Sequence, residues 1–167
     1  MKRQLGLVLV LFVFFVSIPF NRVAAEEPTG RDMPLNTVAG EVVRISDYLG
    51  KVVLVNFWAT WCDPCIEEIP ELVRFQEAYE KEGFTIIGVN YMEKPNRERL
   101  SQFSKKFGIN YPIVYGNPAR MRKVGKSLGG VYGLPTSKLL DREGKVVRSL
   151  VGNWTMDQLE DKVKPLF

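Results

Sequence analysis

The two cysteines of the chain are the residues whose type and spacing most directly indicate chemistry. Cys62 and Cys65 lie three positions apart, and the 167-residue sequence contains no other cysteine. Two thiols at this spacing can exchange dithiol for disulfide, by attack of a thiolate on a disulfide sulfur. A purely stabilising disulfide is disfavoured, because so short a loop restricts the unfolded chain very little.

The absence of histidine narrows the alternatives. Without an imidazole the chain can build neither a histidine-activated nucleophile nor a zinc site of mixed cysteine and histidine ligands. The two cysteines supply only half of a closed four-ligand zinc site. Ile66 follows Cys65 where the attachment sequence of a c-type haem needs histidine. We therefore expect no metal and no bound cofactor.

A buried strand leading directly into a helix is predicted around the cysteines. Residues 51–58 form an apolar run typical of a strand buried on both faces, and residues 62–82 carry the broad apolar stripe of a helix. Cys62 then lies at the helix N-terminus, where unpaired N–H groups and the helix dipole stabilise a thiolate. Pro64 suits the first helical turn. Cys65, one turn further in, is expected to be more buried and to resolve a mixed disulfide.

The rest of the chain alternates between strands and helices. A short hairpin is predicted over residues 35–43. Further strands are predicted over residues 84–91, 111–115, Thr136–Leu140 and Val146–Val151, and helices over 96–107, 118–128 and after Thr155. This order predicts an α/β fold, with a mixed central sheet flanked by helices.

The first 25 residues predict export rather than a part of that fold. Lys2 and Arg3 precede an apolar run over residues 5–20, and Val23-Ala-Ala25 offers small residues for cleavage. The run is intermediate in length between a signal core and a spanning helix, so a signal peptide and an N-terminal membrane anchor both stay open. We expect a linker over residues 26–34, a domain over 35–167, and an extracytoplasmic location, in the periplasm or at the outer face of the cytoplasmic membrane.

The net charge of +4 comes mostly from that first segment. Residues 1–25 hold three basic and no acidic side chains, which leaves 20 basic and 19 acidic side chains in the rest. A nearly neutral body gives no reason to expect a nucleic acid partner. The basic cluster over residues 120–126 is interpreted as a solvated helix face.

Two segments resemble the thioredoxin superfamily. Residues 53–65, Val-Leu-Val-Asn-Phe-Trp-Ala-Thr-Trp-Cys-Asp-Pro-Cys, are similar to its active-site strand and loop, and residues 130–136, Gly-Val-Tyr-Gly-Leu-Pro-Thr, to its cis-proline loop. The narrower resemblance is to the membrane-anchored TlpA/ResA-like oxidoreductases of cytochrome c biogenesis. That family has an inserted helix and strand, and residues 96–115 resemble this insertion. The segment near residue 35 departs from that family, because it lacks an Ala-Pro-x-Phe start.

This resemblance implies a substrate site beside the cysteines. Pro135 would be cis and close to the Cys62 sulfur, with Leu134 and Thr136 offering backbone groups to a substrate peptide. We interpret Trp61 as part of an apolar platform around the same sulfur. The resemblance also implies a reductase of oxidised exported proteins such as apocytochrome c, supplied with electrons by a membrane thiol carrier.

Two acidic residues are candidates for tuning the chemistry. Glu68 lies three residues after Cys65 on the same helix face, where a carboxylate could relay a proton to that thiol. The alternative is a surface glutamate that uses the helix dipole, as expected for Glu67. Asp63 lies between the sulfurs and disfavours the thiolate, which would place the couple nearer about −270 mV than about −120 mV.

Two alternative hypotheses about the function stay open besides the reductase. One is a disulfide-forming oxidase, or a protein for general extracytoplasmic disulfide maintenance. The other is a non-catalytic metal-binding or chaperone module that uses the two thiols as ligands. The redox potential of the cysteine pair and its redox state in cells separate an oxidase from a reductase, and metal titration of the reduced protein tests the metal-binding hypothesis.

Overall fold

The structure is a computed structural model that describes residues 30–94 and 96–167. The predicted signal or anchor segment over residues 1–25 lies outside the described residues. Within the described ranges, no helix is long and apolar enough to cross a bilayer. Met33 is 7% exposed and belongs to a core cluster, so the packed body includes a residue that the sequence assigns to the linker.

One mixed sheet organises the described part of the chain. Its seven strands run in the order β2-β1-β5-β4-β3-β6-β7. They are β1 (Leu35–Thr37), β2 (Val42–Val43), β3 (Val52–Trp58), β4 (Phe84–Asn90), β5 (Ile113–Tyr115), β6 (Thr136–Leu140) and β7 (Val146–Val151). Strands β3, β4 and β5 are parallel neighbours, whereas β6 lies antiparallel to β3. The predicted α/β class and mixed sheet are confirmed.

Four α-helices accompany the sheet within the described ranges. They are α1 (Asp63–Tyr79), α2 (Arg97–Phe107), α3 (Pro118–Ser127) and α4 (Met156–Val163). Helix α1 ends earlier than predicted, because a 3₁₀ turn over Glu80–Glu82 follows it and Gly83 then takes a left-handed φ of 87°. The side chains of Thr155 and Gln158 form the predicted capping box of α4.

Strand β3 is buried on both faces, as its apolar sequence predicts. Val53 and Val55 belong to the core cluster that includes residues of α3, whereas Leu54 belongs to the cluster with residues of α1 and α4. Every residue of β3 is buried. A fully buried aliphatic or aromatic side chain contributes about 1.5–3 kcal/mol to folding. The strand therefore gives the loop that follows it a rigid base.

Two loops meet at one edge of the sheet because β6 runs antiparallel to β3. Phe57, near the end of β3, lies opposite Thr136, the first residue of β6. The loop before Cys62 and the loop before Thr136 therefore leave the sheet side by side. The inserted unit reaches the same edge, since the ring of Phe103 in α2 stacks on Trp58 with centroids 5.1 Å apart.

Candidate functional site

The two cysteine sulfurs form a disulfide at the start of α1. Cys62 is the residue that precedes the first helical turn, and Cys65 lies within that turn, with Cα atoms 5.3 Å apart. Cys62 is 5% exposed and Cys65 1%, which confirms that Cys65 is the more buried sulfur. Asp63 and Pro64 occupy the positions between them and are exposed.

The position of Cys62 favours a thiolate in the reduced protein. The first N–H groups of a helix have no intrahelical partners and carry the positive end of its dipole. A sulfur at this position is therefore stabilised as an anion, which is the attacking species in disulfide exchange. Asp63 in the first turn acts in the opposite direction, because its negative charge disfavours a second anion nearby.

The cis-proline loop has the peptide geometry that the resemblance implied, and Leu134 lines the same groove as Cys62. The Leu134–Pro135 peptide bond is cis, and the Pro135 carbonyl accepts a hydrogen bond from the Gly152 N–H at 3.0 Å. Thr136 follows this bond as the first residue of β6. It lies in the sheet between Phe57 and Val151, is 2% exposed, and donates its hydroxyl to the Gly133 carbonyl at 2.7 Å. Its place is beneath the loop.

An open groove of about 610 Å³ runs along the Cys62 side of the disulfide, and Leu134 forms part of its wall. Three large apolar side chains rise from its edges. Trp61 is 58% exposed, Met92 60% and Tyr132 96%. Exposed apolar groups of this size are typical of a surface that contacts another molecule. Trp61 thus lies in the groove as the platform interpretation expects, whereas Met92 and Tyr132 carry no sequence signal of their own.

Glu68 lies in a buried polar cluster on the inner side of the disulfide. It is 2% exposed, and its Oε1 accepts a hydrogen bond of 2.6 Å from Asn56 Nδ2. The backbone N–H of Trp154 also donates to this carboxylate. Asn56 Nδ2 lies 3.0 Å from Ser137 Oγ as well. The interpretation of Glu68 as a surface residue is therefore wrong, whereas Glu67 is exposed as expected.

Burial gives Glu68 an acidity suited to proton transfer. Loss of hydration raises the pKa of Glu68 to about 7, although the hydrogen bonds from Asn56 and Trp154 act to lower it. A carboxyl group with a pKa near neutrality can accept or release a proton under physiological conditions. Because Glu68 follows Cys65 by one helical turn on the same face, that thiol is the natural partner.

Glu93 is a functional candidate that the sequence reasoning missed. It follows β4 and reaches the loop before Cys62, where its carboxylate accepts from the Thr60 N–H at 3.1 Å and the Thr60 hydroxyl at 2.5 Å. Asn90 Nδ2 donates to it at 2.8 Å, and the Arg99 guanidinium lies 3.6 Å away. Burial acts to raise the pKa of Glu93, but these hydrogen bonds and the Arg99 charge outweigh it and lower the pKa.

The described residues contain no cluster suited to a metal ion. No group of three or more histidine, cysteine, aspartate or glutamate side chains converges in residues 30–94 and 96–167. The two sulfurs of Cys62 and Cys65 bond to each other. A disulfide between two cysteines at the start of a helix supports the exchange of one disulfide for another.

Comparison with known proteins gives a consistent result. A family model described as Redoxin matches residues 23–162. Thiol-disulfide oxidoreductase ResA of Geobacillus thermodenitrificans is 34% identical over 140 residues, covering 82% of this chain and 77% of that protein. A thiol:disulfide interchange protein of Chlorobium tepidum, from the thioredoxin family, superposes with a TM-score of 0.70 at 31% identity, covering 80% of this chain and 92% of that chain. A secreted thiol-disulfide isomerase of Corynebacterium glutamicum superposes with a TM-score of 0.72 at 27% identity, covering 80% and 82%.

Proposed function

This chain belongs to the Redoxin family and is a thiol-disulfide oxidoreductase, and from that premise we propose that it reduces disulfides in exported proteins such as apocytochrome c. The observation that carries the proposal is the Cys62–Cys65 disulfide at the start of α1, beside an open groove and the cis peptide bond of Pro135. The groove gives a second polypeptide access to Cys62, and the buried Cys65 is kept for the second step.

The first step forms a mixed disulfide. The thiolate of reduced Cys62 attacks one sulfur of the substrate disulfide, so that a bond forms between Cys62 Sγ and that sulfur while the substrate S–S bond breaks. The other substrate sulfur leaves as a thiolate and takes a proton from water. Trp61, Met92 and Tyr132 provide apolar contact area around the attacked bond, because all three line or flank the groove.

The second step releases the product. Cys65 loses its thiol proton to the Glu68 carboxylate, and the resulting thiolate attacks Cys62 Sγ. The mixed disulfide breaks, the second substrate thiol leaves in reduced form, and Cys62 and Cys65 are joined again. Two electrons have moved from this protein to the substrate. The buried position of Glu68 supports its role here, since its raised pKa lets it take a proton near neutral pH and return it later.

The reducing direction is supported by the charge placed between the sulfurs. Asp63 disfavours a thiolate at Cys62 and so destabilises the dithiol form relative to the disulfide. A couple whose reduced form is destabilised gives up its electrons more readily, and we place it nearer about −270 mV than about −120 mV.

An outside dithiol must restore the reduced form after each cycle. The sequence has no further cysteine to do so. We assign this role to a membrane thiol carrier and place the domain outside the cytoplasm, held by the N-terminal segment. The apolar run over residues 5–20 and the structural similarity to a secreted thiol-disulfide isomerase support that location.

Two measurements test this function. A redox titration of Cys62 and Cys65 against defined thiol buffers should give a potential near about −270 mV. A potential near about −120 mV would instead identify a disulfide-forming oxidase.

The substrate is tested by trapping on the full-length Cys65→Ala variant, which cannot complete the second step. After reduction it should retain apocytochrome c as a mixed disulfide, and the Cys62→Ala variant serves as the matched control. Recovery of many unrelated exported proteins, with no enrichment of apocytochrome c, would favour general disulfide maintenance. Tight binding of zinc or copper by the reduced protein, without exchange activity, would favour the metal-binding reading.

A further inference from the structure

We propose that Glu93 is a positioning residue that fixes the loop in front of Cys62 by clamping Thr60, with Arg99 of the inserted helix as its counter-ion. This inference rests on disulfide exchange at Cys62 and is independent of the proposed direction and substrate. Through Arg99, the inserted helix would then help to position the reactive Cys62.

The clamp holds Thr60 through both its backbone and its side chain. Glu93 accepts the Thr60 N–H and the Thr60 hydroxyl on its two different oxygens, at 3.1 and 2.5 Å. Hydrogen bonds to an ionised carboxylate are stronger than those between neutral groups. Thr60 lies two residues before Cys62, so the carboxylate fixes the direction from which the loop enters α1.

The clamp is itself held by two further elements. Asn90, the last residue of β4, donates to Glu93 at 2.8 Å. Arg99 in α2 lies 3.6 Å from the Glu93 carboxylate and also donates to the Thr60 hydroxyl at 2.9 Å. The Glu93 side chain is only 9% exposed. Strand β4, helix α2 and the loop before Cys62 are thus connected through one carboxylate.

The backbone on the way to Glu93 supports a built arrangement. The Tyr91 N–H donates to the Trp58 carbonyl at 2.8 Å, which keeps the two strand ends together beyond the sheet. Met92 then adopts a left-handed φ of 56°, an unfavourable conformation for a residue other than glycine. This turn places the Met92 side chain in the groove and directs the next residue, Glu93, towards Thr60.

Precise placement of this loop matters because Cys62 must meet two geometric demands. Its sulfur has to remain at the start of α1, where the helix stabilises the thiolate, and it has to approach a substrate disulfide in line. A displacement of reacting groups by about 1 Å can lower a rate by about 10²-fold. Besides the clamp, the loop is held by the Cys62 N–H, which donates to the Ala59 carbonyl at 3.2 Å.

The experiment measures the reactivity of Cys62 in the full-length reduced protein with oxidised glutathione. This probe needs neither the physiological substrate nor a particular direction, so a failure of the proposed function leaves the result readable. Glu93→Ala should lower the second-order rate constant about tenfold, within the range for misplaced reacting groups. The exposed Glu98→Ala, which removes a carboxylate five residues further along, is the matched control and should react at the wild-type rate.

A second variant separates positioning from charge. Glu93→Gln keeps an oxygen that can accept from the Thr60 N–H and Asn90, and its amide can donate to the Thr60 hydroxyl. It should therefore stay within about threefold of the wild-type rate. A Gln variant as slow as the Ala variant would overturn the clamp, because charge rather than hydrogen bonding would then be responsible. Wild-type reactivity of Glu93→Ala would overturn it equally.

A double-variant cycle with Thr60 tests whether Glu93 acts through this residue or has a merely structural role. Thr60→Val removes the hydroxyl at nearly constant shape, and we expect a rate about threefold lower. The double variant Glu93→Ala/Thr60→Val should react no more slowly than Glu93→Ala alone. Additive losses would overturn the proposal. Should Glu93→Ala fail to fold by circular dichroism, Thr60→Val still decides, since an unchanged rate in that variant would contradict the clamp.

Discussion

One buried and one partly buried glutamate lie near the cysteine loop, and their surroundings give them opposite properties. Glu68 lies beneath the disulfide with neutral donors only, Asn56 and the Trp154 N–H, and burial raises its pKa to about 7. Glu93 lies beside the loop with three hydrogen-bond donors and the Arg99 cation, and its pKa is lowered despite burial. The first can exchange a proton at neutral pH, whereas the second stays ionised.

The opposite pKa shifts of Glu68 and Glu93 show that burial alone does not assign a role to a carboxylate. Loss of hydration disfavours the ion in both cases, and the number and charge of the donors decide the outcome. A buried acid with few neutral donors is suited to proton transfer. One saturated by donors and a cation is suited to holding a fixed charge and a fixed loop.

The largest effect is expected on the rate of product release when Glu68 is replaced. Glu68→Gln should lower the rate of product release by about 10²-fold or more, because the Cys65 thiol loses its proton acceptor. In the wild type this rate should rise with pH through about 7, as the Glu68 carboxylate forms, and the variant should lack that rise. Stopped-flow kinetics with a peptide disulfide measure the rate, and mass spectrometry detects the accumulated mixed disulfide. Wild-type release by Glu68→Gln would remove the proton-transfer role.

The pH dependence of stability should separate the two acids by sign. Because the pKa of Glu68 is higher in the folded protein than the ordinary 4.5, its favourable contribution is complete below that value and is lost as pH rises through about 7. The free energy of unfolding should fall by about 3 kcal/mol over this window. Urea titrations of wild type and Glu68→Gln measure the difference, and the variant should lack the fall.

Glu93 should act in the acidic range instead. Its folded pKa is lowered, so its contribution is present above the ordinary value of 4.5 and is lost as pH falls through the folded pKa. Glu93→Gln should therefore flatten the acid limb of the same urea titrations without changing the limb near pH 7. If Glu93→Gln instead flattened the pH dependence of the free energy of unfolding near pH 7, the opposite behaviour of the two glutamates would be contradicted.

At constant pH the donors around Glu93 should make its removal costly. Glu93→Ala leaves the Thr60 N–H and Asn90 without their acceptor, and the free energy of unfolding at neutral pH should fall by about 2 kcal/mol. The exposed control Glu98→Ala should change it by no more than about 0.5 kcal/mol. Chemical denaturation of both proteins gives the comparison, and equal losses would contradict the buried clamp.

The smallest effect is expected at Arg99, whose side chain is 62% exposed. Arg99→Gln removes the cation but leaves the donors on Thr60 and Asn90, so stability should fall by about 0.5 kcal/mol or less. The pKa of Glu93, followed by NMR titration of its carboxyl carbon, should rise towards 4.5, while that of Glu68 stays unchanged. A Glu93 pKa that does not move would show that the hydrogen bonds alone keep it ionised.

The fold and the catalytic pair could be predicted because their determinants are local in the sequence. The apolar run of β3, the stripe of α1 and the position of Cys62 at their junction are contained in about thirty consecutive residues. The spacing of three residues between Cys65 and Glu68 also placed Glu68 on the face of Cys65. Its burial was left open, although Asn56, a lone polar residue in an apolar strand, is a signal of a buried polar partner.

The parts of the site that the sequence did not predict depend on strand register and on contacts between segments that are distant in the sequence. Glu93 and Thr60 are 33 residues apart, and Arg99 and Thr60 are 39 apart, so no local pattern connects them. The strand register likewise sets Thr136 between Phe57 and Val151 inside the sheet with its side chain buried, which its place beside Pro135 in the sequence did not reveal.

The antiparallel pairing of β6 with β3 has a consequence for how such a protein can change. It brings together two separate stretches of chain, one that carries the sulfurs and one, with Tyr132 and Leu134, that lines the groove beside Cys62. Exchange of residues in the second stretch can alter which polypeptide is accepted while Cys62 and Cys65 keep their setting. Partner preference and electron chemistry can thus diverge independently within one scaffold.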